Sequence, residues 1–156
     1  MNGKIVIMGI GNWLSTDDGV GVHAAQSLAQ DPPPGTLVVD AGTDVLSALS
    51  FLENAARVLL IDAVQCGSEP GTVRSFTESD LLQPERVHTA HTVSLLASRH
   101  LLPPGADWPE FLILGVEPAS MTYGMDLSPA VAAALQHVTR LSREIVETWR
   151  TETLHL

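Results

Sequence analysis

The fold is decided by a short apolar run, KIVIM at residues Lys4 to Met8, and by the turn Gly9-Ile10-Gly11-Asn12 that ends it. A continuous β-branched run of this kind is typical of a strand that is buried on both faces. The next residues, Ser15 to Asp18, have the capping side chains and acids of a helix start. Apolar residues then continue one face of that helix at Val20, Ala24 and Leu28. A strand, a tight turn and a helix in this order indicate an α/β protein.

The same alternation continues along the chain. Strands are predicted over 36–39, 57–61, 72–76 and 110–116, and the 72–76 strand is expected at an antiparallel edge because no helix precedes it. Helices are predicted over 44–52, from Ala90 with Thr89 as its cap, and from Ser128-Pro129 onward. The inward faces of the last two are predicted to carry Val93, Leu96 and Leu101, and Val131, Leu135, Val138, Leu141, Ile145 and Trp149.

These elements predict one domain over residues 1–156, an α/β fold with a twisted, mostly parallel sheet and helices on both faces. The length of 156 residues suits a single core. A formal charge of −10 argues against nucleic-acid binding, because a phosphate backbone would be repelled. No apolar run approaches the roughly 20 residues that span a bilayer, and nothing resembles an export signal. The single cysteine, Cys66, suits a reducing cytosol, so a cytoplasmic protein without membrane contact is expected.

The ligand site is expected beyond the carboxyl ends of the strands, where the strand order reverses. If the first and third strands flank that point, Asp18, Asp62 and His91 converge there. Other candidates for the same edge of the sheet are Gly9, Gly11, Asn12, Asp17, Asp40, Gly42, Thr43 and Glu117. Two carboxylates and one imidazole form a mixed oxygen and nitrogen donor set that leaves positions open, which suits a divalent transition metal shared with a substrate. The clustered cysteines and histidines of structural zinc sites do not occur.

Each of these residues also has a purely structural interpretation. Asp17 and Asp18 can simply complement the positive end of a helix. Asp62 interrupts an apolar strand, where an unpaired charge costs several kcal/mol, so a donor or a ligand must satisfy it. His91 alone is compatible with an ordinary hydrogen-bonded histidine, and His88 is the alternative ligand.

Two other chemistries have weaker support in the sequence. Cys66 follows Asp62 by four residues and is a conceivable nucleophile, but no neighbouring cation or helix start is evident. A dinucleotide site is suggested by Gly9-Ile10-Gly11 with Asp40 at the end of the second strand. Leu14 replaces its third glycine, and the acidic pair that follows would repel a pyrophosphate.

Five segments together resemble the hydrogenase maturation proteases, which trim the C-terminal extension from the large-subunit precursor of nickel-iron hydrogenases. They are GIGNWLSTDDGVGVH at Gly9 to His23, DAGT at Asp40 to Thr43, LLIDAV at Leu59 to Val64, HTVSLL at His91 to Leu96, and GVEPASMTYGMDLSPAV at Gly115 to Val131. The match covers nearly the whole chain in the same order. It implies a single peptidase domain built as a three-layer sandwich of the phosphorylase/hydrolase-like type.

The resemblance also implies the roles of the site residues. Asp18, Asp62 and His91 match the family's metal-binding acid, strand-ending aspartate and histidine. The metal is nickel supplied by the substrate, and no resident organic cofactor is expected. Asp18 or Asp62 would act as general base on water, or nickel would polarise the scissile carbonyl. The expected partner is the nickel-loaded large-subunit precursor, bound by a monomer of this chain.

Several residues are expected to shape the cleft around this centre. Gly9, Gly11 and Asn12 would form the loop that carries Asp18. Asp40, Gly42, Thr43 and Glu117 would line the cleft that receives the precursor's C-terminal segment, and Trp13 and Leu14 would dock against it or lie buried. A nickel-binding assembly chaperone that does not cleave its client would use the same ligands, so it stays as an alternative.

Overall fold

The computed structural model describes residues 3–83 and 85–154. Five strands form one sheet in the order β2-β1-β3-β5-β4, and only β4 runs antiparallel to its neighbour. The strands are β1 (Lys4–Ile10), β2 (Thr36–Gly42), β3 (Ala55–Ala63), β4 (Val73–Phe76) and β5 (Glu110–Val116). The α/β class, the mostly parallel sheet and the antiparallel edge strand are therefore confirmed.

Four α-helices cover the two faces of the sheet: α1 (Val20–Ala29), α2 (Val45–Phe51), α3 (Ala90–Ala97) and α4 (Pro129–Leu154). One apolar core packs the sheet against α2 and α3, and it includes Val6, Leu60 and Leu95. The other core packs it against α1 and α4, and it includes Ile7, Leu59 and Val138. Alternate residues of β1 and β3 enter opposite cores, as the continuous apolar runs in both strands predict. No helix in the described part of the chain is long and apolar enough to cross a bilayer.

The strand order reverses between β1 and β3. The chain passes from β1 outward to β2 and then returns across β1 to pair β3 on its other side. The carboxyl ends of β1 and β3 therefore leave the sheet side by side, and the connections that follow them diverge. This divergence opens the crevice in which open parallel sheets bind ligands.

Close backbone packing brings α1 against this crevice. A Cβ atom at Gly9 would lie 2.0 Å from the carbonyl oxygen of Gly21, and one at Gly21 would lie 2.1 Å from that of Ile61. Since any side chain at these positions would collide with backbone, two glycines allow α1 to contact β1 and β3 directly.

The predicted bounds of the first helix and of the third strand were wrong. The first helix begins at Val20, because Thr16–Gly19 form a separate 3-10 turn. Strand β3 spans Ala55–Ala63. Asp62 therefore lies inside the strand, paired with Gly115 of β5, and not after the end of the strand.

The buried face of α3 was predicted correctly only for Leu96, which packs against the core. Thr92 and Leu95 are buried, whereas Val93 and Leu101 are about half exposed. Thr89 makes no capping hydrogen bond to α3, because its hydroxyl donates to Asp62 instead. The prediction for α4 is confirmed, since Val131 and Val138 are fully buried and its other predicted inward residues are packed against the same core.

Candidate active site at the carboxyl edge of the sheet

A cleft of about 370 Å³ opens at the point where the strand order reverses. The loop after β1, the end of β3 and the start of α3 form its walls. It is lined by Ser15, Asp18, Ala63, Gln65, His88, Thr89, Ala90, His91 and Met121. We call it the Asp18–His91 cleft.

Asp18 and His91 form a direct pair in this cleft. The His91 Nε2 atom lies 2.8 Å from the Asp18 Oδ2 atom, and the same oxygen accepts a hydrogen bond of 3.1 Å from the backbone N–H of Asn12. The hydrogen bond to Asp18 raises the pKa of His91, although burial acts in the opposite direction. The pairing with Asp18 therefore favours the protonated form of the His91 imidazole.

Asp62 lies behind this pair and is completely buried. Its Oδ2 atom accepts hydrogen bonds from the hydroxyls of Thr89 at 2.5 Å and Thr92 at 2.8 Å, and its Oδ1 atom accepts one from the Ala63 N–H at 2.8 Å. Burial raises the pKa of Asp62 to about 6, even though these hydrogen bonds favour the charged form. Donors thus satisfy this carboxyl group, as its position in an apolar strand required.

The structure brings the three predicted ligands into one electrostatic unit but not into a preformed metal cage. The charges of Asp18 and His91 both act on the pKa of Asp62. Within 3–83 and 85–154, however, no three His, Cys, Asp or Glu side chains are grouped closely enough to hold a metal ion. The reason is local: the oxygens of Asp62 face Thr89, Thr92 and Ala63 rather than the cleft.

Asp17 has a structural role. It is fully buried and accepts hydrogen bonds from the backbone N–H groups of Ala119, Ser120 and Ser128 and from the Ser128 hydroxyl. Burial alone would raise its pKa, but the bonds from Ser128, Ser120 and Ala119 hold the pKa below its ordinary value. Asp17 therefore fastens the turn that carries Asp18 to the loop before α4.

The loop after β1 is shaped by its glycine and its asparagine. Gly11 has φ of +137°, and a Cβ atom there would lie 2.0 Å from the backbone oxygen of Asp18. The Asn12 side chain accepts a hydrogen bond of 2.9 Å from the N–H of Leu14. Gly11 and Asn12 thus position Asp18 through backbone packing, whereas Gly9 packs against α1.

Other predicted cleft residues line a second depression, of about 440 Å³, and two of them, Gly42 and Thr43, also line a small cavity together with His91. The depression contains Asp40, Gly42 and Thr43 together with Trp13 and Leu14. Asp40 accepts hydrogen bonds from Gln26 Nε2 and from the Gly42 N–H.

Glu117 does not line the Asp18–His91 cleft. It is buried, and its Oε2 atom accepts hydrogen bonds from the backbone N–H of Cys66 at 2.9 Å and from the Cys66 thiol at 3.3 Å. His88, the alternative ligand, lines the cleft beside His91, and its backbone pairs with that of Gln65.

Sequence reasoning missed Thr89 and Thr92 as partners of Asp62. The signal was available, because a threonine before a helix and another three residues later flank His91 on the same side of α3. The prediction assigned Thr89 to helix capping, which is the commoner use of a threonine in that position. Met121 was missed as a wall of the cleft because loop contacts of this kind leave no periodic pattern.

The fold and the site define a class: an α/β protein with an acid–imidazole pair that faces an open cleft at the reversal of strand order, where hydrolytic and metal-dependent chemistry is commonly placed. The comparisons narrow this class. Residues 22–144 match the family model described as hydrogenase maturation protease, HycI.

Individual relatives agree with the family match. The chain is 27% identical to the hydrogenase expression/formation protein HupD of Rhodobacter capsulatus, over 96% of this chain and 74% of that protein. It is also 27% identical to the hydrogenase 2 maturation protease of Escherichia coli K12, over 97% of this chain and 99% of that protein. The structure of the [NiFe] hydrogenase maturation protease HybD from Thermococcus kodakarensis superimposes with a TM-score of 0.79 at 26% identity, covering 91% of this chain and 98% of that one.

The chain belongs to the hydrogenase maturation protease family. It is thus a peptide-bond hydrolase of the endopeptidase class, as the resemblance implied. The dinucleotide alternative loses its support, since the start of the helical segment after β1 carries two buried carboxylates in place of an anion site. A chaperone without protease activity is likewise disfavoured by the family.

Proposed function

We propose that this protein removes the C-terminal extension from the nickel-loaded precursor of a nickel-iron hydrogenase large subunit, with the substrate's nickel as the recognition signal. The observation that carries this proposal is the Asp18–His91 pair, 2.8 Å apart, at the mouth of a cleft that can admit an extended chain. The relatives given above are 26–27% identical to this chain, and their names refer to the formation or maturation of hydrogenases, which supports a hydrogenase precursor as the substrate.

Nickel would be bound as part of the substrate. Asp18 and His91 line the cleft, so both can approach a metal that the precursor presents. His91 must first lose the proton that its raised pKa favours, which couples nickel binding to proton release. Asp62 would join as a third ligand only by turning an oxygen away from Thr89 and Thr92.

This incomplete ligand set suits a metal that is recognised and then released. The ligand set consists of two carboxylates and one imidazole, and the Asp62 carboxylate is already occupied by hydrogen bonds. Such a set binds a divalent metal less tightly than a closed site of histidines and thiolates. A contribution of about 3 kcal/mol from nickel would give a preference of roughly a hundredfold for the loaded precursor. Cleavage before nickel insertion would therefore be suppressed.

Hydrolysis requires a base that reaches water at the scissile carbonyl. Asp18 lines the cleft, so we assign it the role of general base, which accepts a proton from the attacking water. The substrate's nickel would polarise the scissile carbonyl. Asp62 has a pKa of about 6, which would suit a general base, but it is fully buried and does not reach the cleft. We assign it instead an electrostatic effect on the Asp18–His91 pair.

Four exposed apolar residues support a protein substrate, and one of them, Met121, lines the Asp18–His91 cleft. Leu14, Met121, Tyr123 and Met125 are all between 38% and 87% exposed. They lie in two segments that are joined by hydrogen bonds between Gly124 and the backbone of Leu14 and Thr16. We call these four residues the apolar rim. Exposed apolar patches next to a site are typical of protein docking surfaces.

The test compares nickel-loaded with nickel-free precursor. Purified protein should shorten the loaded precursor at its C-terminus, observed by mass spectrometry of the intact subunit, and should leave the nickel-free form about a hundredfold slower to react. Equal rates for the two forms would contradict nickel recognition, and no cleavage of either would contradict the assigned substrate. Stoichiometric retention of nickel without cleavage would favour a carrier.

The setting follows from the same proposal. We infer that the protein acts as a monomer in the cytoplasm, without binding nucleic acid or membranes. The net charge of −10 and the protein nature of the substrate support this inference. Analytical ultracentrifugation should show a monomer. Fractionation of cells that express the tagged chain should place it in the cytoplasm.

A further inference from the structure

A second and larger cleft adjoins the Asp18–His91 cleft. It has a volume of about 860 Å³ and lies between strand β4 and the segment that precedes α3. Gln65 and His88 line both clefts, and their backbones pair through hydrogen bonds of 3.0 and 2.8 Å. We call this second cavity the β4 cleft. A chain that leaves the Asp18–His91 cleft across the Gln65–His88 pairing therefore enters the β4 cleft.

Two guanidinium groups, those of Arg74 and Arg86, line the β4 cleft. In the part of the chain that the structure describes, neither forms an ion pair with a carboxylate, and the Cys66 sulfur lies 3.8 Å from Arg74 Nη1. Two acids line the same cleft: Asp80, which accepts a hydrogen bond from the Thr77 N–H, and Glu85. Because neither guanidinium forms an ion pair with these two carboxylates, both guanidinium groups can still donate to carboxylates that a ligand supplies.

The wall that β4 contributes is the edge of the sheet. β4 is the last strand in the order and is paired only with β5. Three consecutive residues of β4, Arg74 to Phe76, line the cleft. Since successive side chains of a strand point to opposite faces, a cavity that contacts three in a row borders the strand's backbone edge. Such an edge can accept an extended peptide as an added strand.

We propose that the β4 cleft binds an extended, acidic stretch of the substrate polypeptide. Its main chain pairs with the free edge of β4, and its carboxylates pair with Arg74 and Arg86. The inference rests on the proposed function for the identity of the substrate, but the cleft's preference for acidic peptides follows from this chain's own residues. It assigns the two arginines to substrate specificity rather than to the hydrolytic step.

Peptide binding tests the charge preference. The probes are fluorescent eight-residue peptides that alternate valine with glutamate, with glutamine or with lysine, and binding is measured by fluorescence polarisation. The glutamate peptide should bind about tenfold more tightly than the glutamine peptide, and added salt should weaken this preference. Equal affinities for the two peptides on the unmodified protein would overturn the proposal.

Substitutions locate the preference in the cleft. Arg74→Gln combined with Arg86→Gln should abolish the preference for glutamate, and Arg74→Glu with Arg86→Glu should transfer it to the lysine peptide. Arg140→Gln is the matched control, because Arg140 is exposed on α4 and pairs with His137. A preference that survives both double substitutions, or one that Arg140→Gln removes, would overturn the assignment. All of these arginines are exposed or at the surface, so circular dichroism should report an unchanged fold.

N-methylation tests pairing with the strand edge. In a β ladder, alternate N–H groups of a peptide face the neighbouring strand. Methylating one alternate set of amides in the glutamate peptide should weaken binding about tenfold, and methylating the other set should have little effect. Equal effects from the two sets would contradict the pairing.

The two proposals fail in distinguishable ways. If the precursor is not cleaved but the glutamate preference depends on Arg74 and Arg86, the proposed substrate is wrong and the β4 cleft stands. If the precursor is cleaved and the Arg74→Gln, Arg86→Gln variant has an unchanged KM for it, the β4 cleft is not used by the substrate and the proposed function stands.

Discussion

Asp62 shows how a residue proposed for the site can be costly to the fold. The carboxyl group is fully buried in a strand, and burial raises its pKa from 3.8 to about 6. Between these two values the folded chain holds a proton that the unfolded chain has lost. The free energy of unfolding therefore falls as the pH rises from about 3.8 to about 6, by about 3 kcal/mol in total, and changes little above that range.

Replacing Asp62 with asparagine should remove this pH dependence. The amide cannot ionise, so Asp62→Asn should be more stable than the unmodified protein at neutral pH and should differ little from it near pH 4. Processing of the precursor should be lost, since the charge behind the Asp18–His91 pair is gone. Urea unfolding across this pH range measures the first effect, and precursor mass measures the second.

Asp107→Asn, at an exposed loop position, is the control for Asp62→Asn and should change neither stability nor processing. An Asp62→Asn protein with the same pH profile as the unmodified chain would contradict the assignment of a raised pKa. Full processing activity would remove Asp62 from the site.

The Asp18–His91 pair gives a second prediction at this scale. Asp18 is the main cause of the raised pKa of His91, so Asp18→Asn should lower that pKa, as followed by NMR of the imidazole. The protonated imidazole contributes stability below its unfolded pKa, and this contribution disappears as the pH rises through the folded value. Processing should fall at least a hundredfold in the variant, because the cleft then lacks its carboxylate base. An unchanged His91 pKa would contradict the pairing.

At the scale of elements, the loop between β1 and α1 is positioned by contacts at both ends. Asp17 fastens the 3-10 turn to the loop before α4 through hydrogen bonds to Ala119, Ser120 and Ser128. Gly11 allows the backbone at the other end to pass close to Asp18. The turn that presents Asp18 is therefore held by the fold on two sides, which suits a catalytic group that must keep its position.

Gly11→Ala should disturb this turn. The new Cβ atom would lie 2.0 Å from the Asp18 carbonyl oxygen, and the backbone has φ of +137°, so the loop must shift. We expect a loss of about 2–4 kcal/mol in unfolding free energy and a large fall in kcat for precursor cleavage. Thermal unfolding measures the change in stability, and the time course of precursor shortening by mass spectrometry measures kcat.

The matched control for Gly11→Ala is Gly105→Ala. Gly105 also has a positive φ, of +84°, but no atom lies within 4 Å of a Cβ built there. Its substitution should cost only the left-handed strain of about 1 kcal/mol and leave cleavage unchanged. Similar effects at the two glycines would show that backbone strain, and not contact with Asp18, is the cause.

At the scale of the whole molecule, the proposed substrate surface combines the Asp18–His91 cleft, the apolar rim and the β4 cleft. Strand order places all three at one end of the sheet, since the ends of β1 and β3 and the start of β4 lie there. These three features therefore form one composite surface on which the proposed protein substrate can bind.

The apolar rim should contribute to binding of the precursor rather than to chemistry. Tyr123→Ser with Met125→Ser should raise KM about tenfold with little change in kcat, because both side chains are exposed and contact no catalytic residue in the proposed mechanism. Leu101→Ser is a control, since Leu101 is 57% exposed on the 3-10 turn after α3 and lines neither the Asp18–His91 cleft nor the β4 cleft. A lowered kcat with unchanged KM would contradict a docking role.

The alternation of apolar runs and helical periods was sufficient to predict the sheet, its antiparallel edge and α4. These features depend on local patterning, because β1 and β3 must be apolar throughout to lie between two layers of helices. The face of α3 was mispredicted because Thr92 is buried by a polar contact with Asp62, which hydrophobic periodicity does not report.

The sequence by itself determined the fold class and the family resemblance. It also identified Asp18, Asp62 and His91 as the candidate metal-binding residues. Only the tertiary structure decided that Asp18 pairs with His91, that Asp62 is held by Thr89 and Thr92, and that Asp40 and Glu117 lie outside this cleft. The physical reason is that patterning records which residues are buried along each element. Hydrogen-bond partners and the shape of a cleft, in contrast, arise from loops that meet only when the sheet has assembled.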